Sequence, residues 1–253
     1  MSLYGDDPRY TIGALRNAQR LPLVFPGWRL RFYHRGGVLR QLLDRLRELG
    51  AELRDVTLMS GVAALAPMLW RMTALDDPAV DVVLSRDADS RLTDRDAAAV
   101  SAWLAARGRP LFHCIRDHPS HSAFPVNGGL WGARSPRLRQ LLGPLTPLMA
   151  GFGAAYMDDM RFLDARVWAP LSTRWSAEVF CHDSVSCERW VGAHPFTTPR
   201  RWLGEHIGQV YDALSRPRQG DVDLLLSAQQ NFFCEHNVTA STASSGRQLT
   251  TRA

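Results

Sequence analysis

The run Asp81-Val82-Val83-Leu84-Ser85-Arg86-Asp87-Ala88-Asp89-Ser90 holds the residues of this chain best suited to chemistry. A short β-branched segment ends in two carboxylates spaced i, i+2. A buried strand that stops at Asp-x-Asp delivers acids to the carboxyl edge of a sheet, where open α/β folds bind ligands. One or two such carboxylates, together with a substrate's phosphates, commonly hold a hard divalent cation. The competing reading is a capped turn, because Asp and Ser favour turns and helix starts.

Elements able to position these acids alternate along the first half of the chain. Thr11 to Leu21 reads as a helix broken at Pro22, and Trp28 to Tyr33 alternates apolar and basic residues as a strand does. Val38, Leu42, Leu46 and Leu49 form one stripe of a helix stopped by Gly50. A strand near Ala51–Val56, a helix over Met68–Leu75, the Val80–Leu84 strand, a helix over Asp94–Ala106 and an apolar run at Leu111–Ile115 follow. Such βα alternation predicts a mostly parallel sheet covered by helices. Beyond Arg116 the pattern is more polar and glycine-rich, with helices over Pro136–Met149 and Asp158–Trp168 and a strand at Glu178–Cys181. Residues 237–253 are poor in apolar side chains and read as a disordered tail.

The 253 residues suffice for one large α/β domain, and 45% apolar with 22% charged residues is the composition of an ordinary globule. No run approaches the roughly 18 apolar residues of a spanning helix. The start Met1-Ser2-Leu3-Tyr4-Gly5-Asp6-Asp7 lacks the features of a signal peptide, so a cytoplasmic location is expected. All basic residues are arginine, which excludes a lysine nucleophile or Schiff base. The arginines are interleaved with acids, and the net charge of +5 is modest, so no nucleic-acid partner is expected. Cys114, Cys181, Cys187 and Cys234 form no metal-binding spacing and read as buried thiols.

Taken in order, several segments resemble the GT-A type of nucleotide-sugar-dependent glycosyltransferase, in a small bacterial branch. They are Leu3-Tyr4-Gly5, Tyr10 through Asn17, Trp70-Arg71, Arg86 through Arg91, Gly128-Gly129-Leu130-Trp131-Gly132, Asp159 with Phe162-Leu163, and His182-Asp183-Ser184. The resemblance implies one Rossmann-like domain over residues 1–236, with a nucleotide-sugar half (1–115) and an acceptor half (116–236). It implies transfer of a sugar from a nucleotide diphosphate, a UDP-sugar ranked ahead of a GDP-sugar, to the hydroxyl of a glycan or small molecule.

Under that resemblance Asp87, Asp89 and His182 would hold Mn2+ or Mg2+, with Asp87 able to turn to a ribose hydroxyl instead. Tyr4, Gly5, Arg71 and Arg86 would meet the nucleotide, an arginine fork being suited to pyrophosphate. Asp117, His118, Gly129 and Trp131 would line the sugar and acceptor side. Asp159 would stand beside the reacting carbon, with Asp158 as its competitor. Related retaining enzymes carry Asp-Gln-Asp where this chain has Asp159-Met160-Arg161, so only the first acid persists.

Two other functions compete. A phosphatase of the haloacid-dehalogenase type would use Asp87 as nucleophile and Asp89 as acid/base. Against it, Arg91 stands where that family has a small residue, and its lysine cannot exist here. A protein that binds a sugar-nucleotide without transfer is the other. A calcium loop fails, because Leu92 and Ala98 occupy its glycine and glutamate positions.

Overall fold

The carboxylate of Asp7 accepts a hydrogen bond from the Arg9 amide at 2.8 Å, and Pro8 takes the first helical position. Helix α1 (Pro8–Val24) therefore starts three residues before the apolar periodicity suggests, with a side-chain cap and a proline whose missing N–H costs nothing there. It also carries Pro22 inside its last turn and ends three residues later. The computed structural model describes residues 1–186 and 189–229. Cys187, Cys234 and the tail expected at 237–253 lie outside them.

The chain is a mixed α/β protein with two open sheets. Strands β1 (Ser2–Leu3), β2 (Arg31–His34) and β3 (Glu52–Asp55) form a parallel sheet in the order β1-β2-β3. Helix α2 (Arg40–Glu48) crosses from β2 to β3, burying Leu42 and Leu46, and Gly50 turns the chain back at φ 83°. The second sheet has five strands: β4 (Val82–Ser85), β5 (Phe112–Arg116), β6 (Trp131–Arg134), β7 (Val179–Asp183) and β8 (Ala193–His194), in the order β4-β6-β5-β7-β8. Strand β6 runs antiparallel to both β4 and β5, whereas β5, β7 and β8 are parallel. The expectation of a single sheet is thus corrected to two, with parallel pairing everywhere except around β6. The polar turn-rich segment after β5 returns β6 between β4 and β5 in the opposite sense, a reversal that βα periodicity does not reveal.

Between β3 and β4 the backbone forms a tight 3-10 helix over Pro67–Asp76, buried from Leu69 through Leu75. It carries Arg71 into the interior. Thr93 caps helix α3 (Asp94–Ala105) through the Asp96 amide at 3.2 Å. The expected helix over 136–149 is split into α4 (Ser135–Leu142) and α5 (Thr146–Met149), because Gly143 at φ 76° and Pro144 cannot continue it. The next helical stretch runs from α6 (Asp158–Phe162) through a wider π-type turn at Leu163–Trp168 into α7 (Ala169–Arg174). Helix α8 (Gln219–Gln229) follows a long irregular segment.

The larger core gathers Trp70, Phe112, Trp131, Phe162 and Trp168, and a second one gathers Leu3, Phe32, Leu46 and Trp103. Cys114 on β5 and Cys181 on β7 are register partners with Cα atoms 4.4 Å apart, and they are joined as a disulfide. This corrects the reading of these two cysteines as separate thiols. Neighbouring parallel strands put both side chains on one face, a pairing that sequence spacing does not show. Among the described residues no helix is long and apolar enough to cross a membrane.

Candidate functional site

Helix α1 shapes the acidic loop. The Asn17 carboxamide donates to the main-chain oxygens of Ser90 (2.9 Å) and Ala88 (3.3 Å) and accepts from the Leu92 amide (3.0 Å). One turn earlier, Gly13 faces the Ala88 carbonyl so closely that a methyl group there would overlap it. Spacing i, i+4 puts the small residue and the amide on one helix face. The loop between Asp87 and Asp89 is therefore clamped onto α1 at the carboxyl end of β4.

Asp87 and Asp89 open into a cleft of about 630 Å³, which Tyr4, Arg71, Gly128, Gly129 and Asp159 also line. The buried Arg71 guanidinium spans two acids, donating through Nη1 to Asp87 and through Nη2 to Asp159 at 2.9 Å. Burial disfavours its charge, but the two carboxylates more than offset this and its pKa rises. Asp159 stands in the first turn of α6, where its Oδ1 also accepts from the Met160 amide at 2.9 Å. Burial raises its pKa against the pull of Arg71. Met157 just ahead adopts φ 72°, a left-handed conformation uncommon for a non-glycine residue. Gly128 and Gly129 lie against these groups: a methyl on Gly129 would strike the Asp87 carboxylate, and one on Gly128 would strike Asp159 and Arg71.

The structure turns several of the expected site residues elsewhere. Arg86 points inward, held by both oxygens of Asp96 at 2.8 and 2.6 Å and bonded to the Trp131 carbonyl at 3.0 Å. It neutralises a buried acid and does not line the cleft. Trp131 is fully buried, stacked on Phe112 at 5.9 Å, and offers no ring face to a sugar. Asp117 is also fully buried: it receives Arg95 at 2.9 and 3.0 Å, Arg200 at 2.7 Å and the Ile207 amide at 2.9 Å. The neighbouring cations hold its pKa down despite burial. It is the hub that ties the segment around 200–207 to β5.

His118 bonds the Asp221 carbonyl at 2.8 Å and stacks on His206. Gly5 turns the chain at φ 71° after β1, while Tyr4 beside it reaches the cleft and packs edge-on against Trp70. Asp158 is used locally, accepting from the Ala155 amide at 3.0 Å and pairing with Arg161 at 2.7 Å.

His182 does not join the acids. It lies buried on β7 with Nδ1 2.9 Å from His113 Nε2, packed among Phe180 and Phe196. Burial first, then the charges of His194 and Arg95, drive its pKa down to about 4. The histidines that do line the cleft are His121 and His206, contributed by the turn after β5 and by the segment before α8. Their spacing carried no motif to mark them. Arg9, with Nε 3.9 Å from Asp89 Oδ2, was equally unmarked.

Among the described residues no three His, Cys, Asp or Glu side chains are grouped to hold a metal by themselves. The donor set is two carboxylates. Burial and the neighbouring Asp87 push Asp89 up to about 6, an electrostatic cost that a cation would relieve. Two carboxylates plus substrate phosphates form the usual set for Mg2+ or Mn2+, so Asp87 and Asp89 fit such an ion, without His182. No family model matches this chain, and no curated protein matches it.

Proposed function

We propose that this chain is a GT-A-like glycosyltransferase that moves a sugar from a nucleotide diphosphate to a hydroxyl acceptor. One observation carries the reading: Arg71 joins the Asp-x-Asp loop at Asp87 to Asp159, so both motifs of the resemblance face one cleft. The loop ends β4 at the carboxyl edge of its strand, where open α/β sheets bind ligands.

Transfer breaks the bond between the anomeric carbon and the phosphate oxygen and forms one to the acceptor oxygen, whose proton must leave to a base. Arg71 holds Asp87 and Asp159 in place across the site, and its buried guanidinium offsets their charge where the pyrophosphate would depart. A divalent ion held by Asp87 and Asp89 would supply further Lewis-acid stabilisation of that leaving group. Asp159, with its pKa raised by burial, serves as base toward the acceptor in an inverting reaction. In a retaining one it faces an oxocarbenium-like centre. Gly128 and Gly129 let the Asp159 and Asp87 carboxylates lie directly against the main chain at the floor of the cleft. Tyr4, 45% exposed beside Trp70, suits stacking on the base.

The test is a thermal-shift and calorimetry panel of UDP- and GDP-sugars with and without manganese, followed by product analysis. A single donor should raise the melting temperature in a manganese-dependent way, and Asp89→Asn should abolish that dependence while leaving the fold intact. Donor affinity that is the same in Asp89→Asn, with and without manganese, overturns the assignment. Phosphate release from simple esters without any acceptor would favour the phosphatase reading. Binding of a donor with no transfer to any acceptor would favour a binding protein.

A further inference from the structure

On the far side of the Asp87–Asp89 loop, α1 presents Arg16 and Arg20 toward Arg91, and these three guanidiniums line a small pocket of about 240 Å³ with Thr93, Tyr211, Ser215 and Arg201, the last already paired with Glu205 and Asp94. Among the described residues the hydrogen bonds of Arg16, Arg20 and Arg91 reach no carboxylate. Arg16 contacts Gln19 at 3.4 Å, Arg20 donates to the Leu92 carbonyl at 2.8 Å, and Arg91 Nη1 donates to the Ser90 and Asp89 carbonyls at 2.9 and 3.3 Å. The second guanidinium nitrogen of Arg91, Nη2, is buried and has no hydrogen-bond partner, although Arg91 is only 9% exposed. A buried donor left unmade is costly, and three like charges around one pocket repel. An anion in the pocket would offset the repulsion, and one within reach of Nη2 would give that donor a partner.

We propose that this pocket binds a phosphoryl group, either free phosphate or the phosphate of a small phosphomonoester. The planar fork of arginine matches phosphate oxygens in pairs, and three forks suit a dianion better than a monovalent ion. The pocket is separate from the cleft that holds Arg71 and Asp159. Arg91 is also bonded to the main chain of Asp89 and Ser90, so the ligand grips the back of the acidic loop. The Tyr211 ring, 4.7 Å from the Arg91 guanidinium, and the Ser215 hydroxyl provide a wall and a hydrogen-bonding group for an organic substituent. The inference does not depend on the transferase reading.

The experiment is calorimetric titration of the full chain with inorganic phosphate and, in a second arm, glucose 6-phosphate, against chloride at matched ionic strength. Saturable binding is expected in at least one arm. Tighter binding of inorganic phosphate identifies the free ion as the ligand, and tighter binding of the ester identifies a substituted one. Arg16 is exposed, so Arg16→Glu should fold normally, checked by its melting temperature in chloride, and should weaken binding tenfold or more. Arg40→Glu, which reverses another exposed charge, on α2, should leave the affinity unchanged. Absence of saturable binding in both arms overturns the proposal. So does an unaltered affinity in Arg16→Glu, which would place the phosphate in the cleft, or an equal loss in Arg40→Glu, which would show a general charge effect.

Discussion

The carboxamide nitrogen of Asn17 lies 2.9 Å from the main-chain oxygen of Ser90, so helix α1 holds the acidic loop that follows β4. Asn17 is fully buried and uses both ends of its side chain on this one loop. Asn17→Ala leaves the Leu92 amide and the Ser90 carbonyl without their partner. Stability should fall by about 1–3 kcal/mol, read from the urea midpoint. The loop should also lose its fixed position, so donor affinity should fall more than a distant mutation of equal stability cost would cause.

Gly129 tests how tightly the cleft is built. Its missing side chain leaves space that the Asp87 carboxylate occupies, with Arg71 holding that carboxylate in place. Gly129→Ala should force Asp87 off Arg71. The chain should remain folded by circular dichroism, while affinity for a nucleotide-sugar falls by about tenfold or more, as a displaced hydrogen-bonded charge pair implies.

Asp158 and Asp159 are adjacent but not equivalent. Asp159 faces the cleft and Arg71, whereas Asp158 closes a local turn with Ala155 and Arg161. Asp159→Asn should lower turnover by roughly two or more orders of magnitude with donor affinity little changed, the mark of a group used chiefly in the transition state. Asp158→Asn should keep turnover within a few-fold and lower the melting temperature slightly. Steady-state kinetics on the pair decides between them, and the reverse ranking would move the reaction centre.

The buried histidines set an acid limit on stability. His182 and His206 are both lowered to about 4, first by burial, while an unfolded imidazole titrates near ~6.5. Below that value the unfolded chain takes up protons that the folded chain refuses. Stability should therefore be full above about pH 6.5 and fall as pH drops toward about 4, by up to about 1.4 kcal/mol per pH unit for each histidine. Urea midpoints at pH 7.5, 6 and 5 should show this slope. His182→Ala should flatten it without changing manganese affinity, because His182 contacts His113 and Phe196 and no acid of the cleft.

What could be read from the sequence was local. The strand ending at Asp-x-Asp and the helix start at Asp158 depend on neighbours within one turn; the helix begins at the expected residue, and the strand starts two residues later than expected and ends one later. The loss of Arg86 and Asp117 from the cleft was not readable. Their fates depend on Asp96 and on Arg200, the latter 83 residues away, and a charge's type does not disclose its partner. Trp131 had the same problem in apolar form: the ring packs on Phe112 because β6 inserts beside β5, a pairing that alternation cannot anticipate. Asn17 and Gly13 stood within the resembling Tyr10–Asn17 segment, but nothing in it pointed to the Ala88–Leu92 loop as their partner.

The Cys114–Cys181 bond makes part of this protein a closed loop of chain, and the cleft straddles its boundary. Gly128, Gly129 and Asp159 are inside the ring; Arg71, Asp87 and Asp89 are outside. A single protease cut anywhere between 115 and 180 would open the ring yet release no fragment. Such a nicked molecule would run as an intact chain on a non-reducing gel, and only thiol treatment would split it into two pieces.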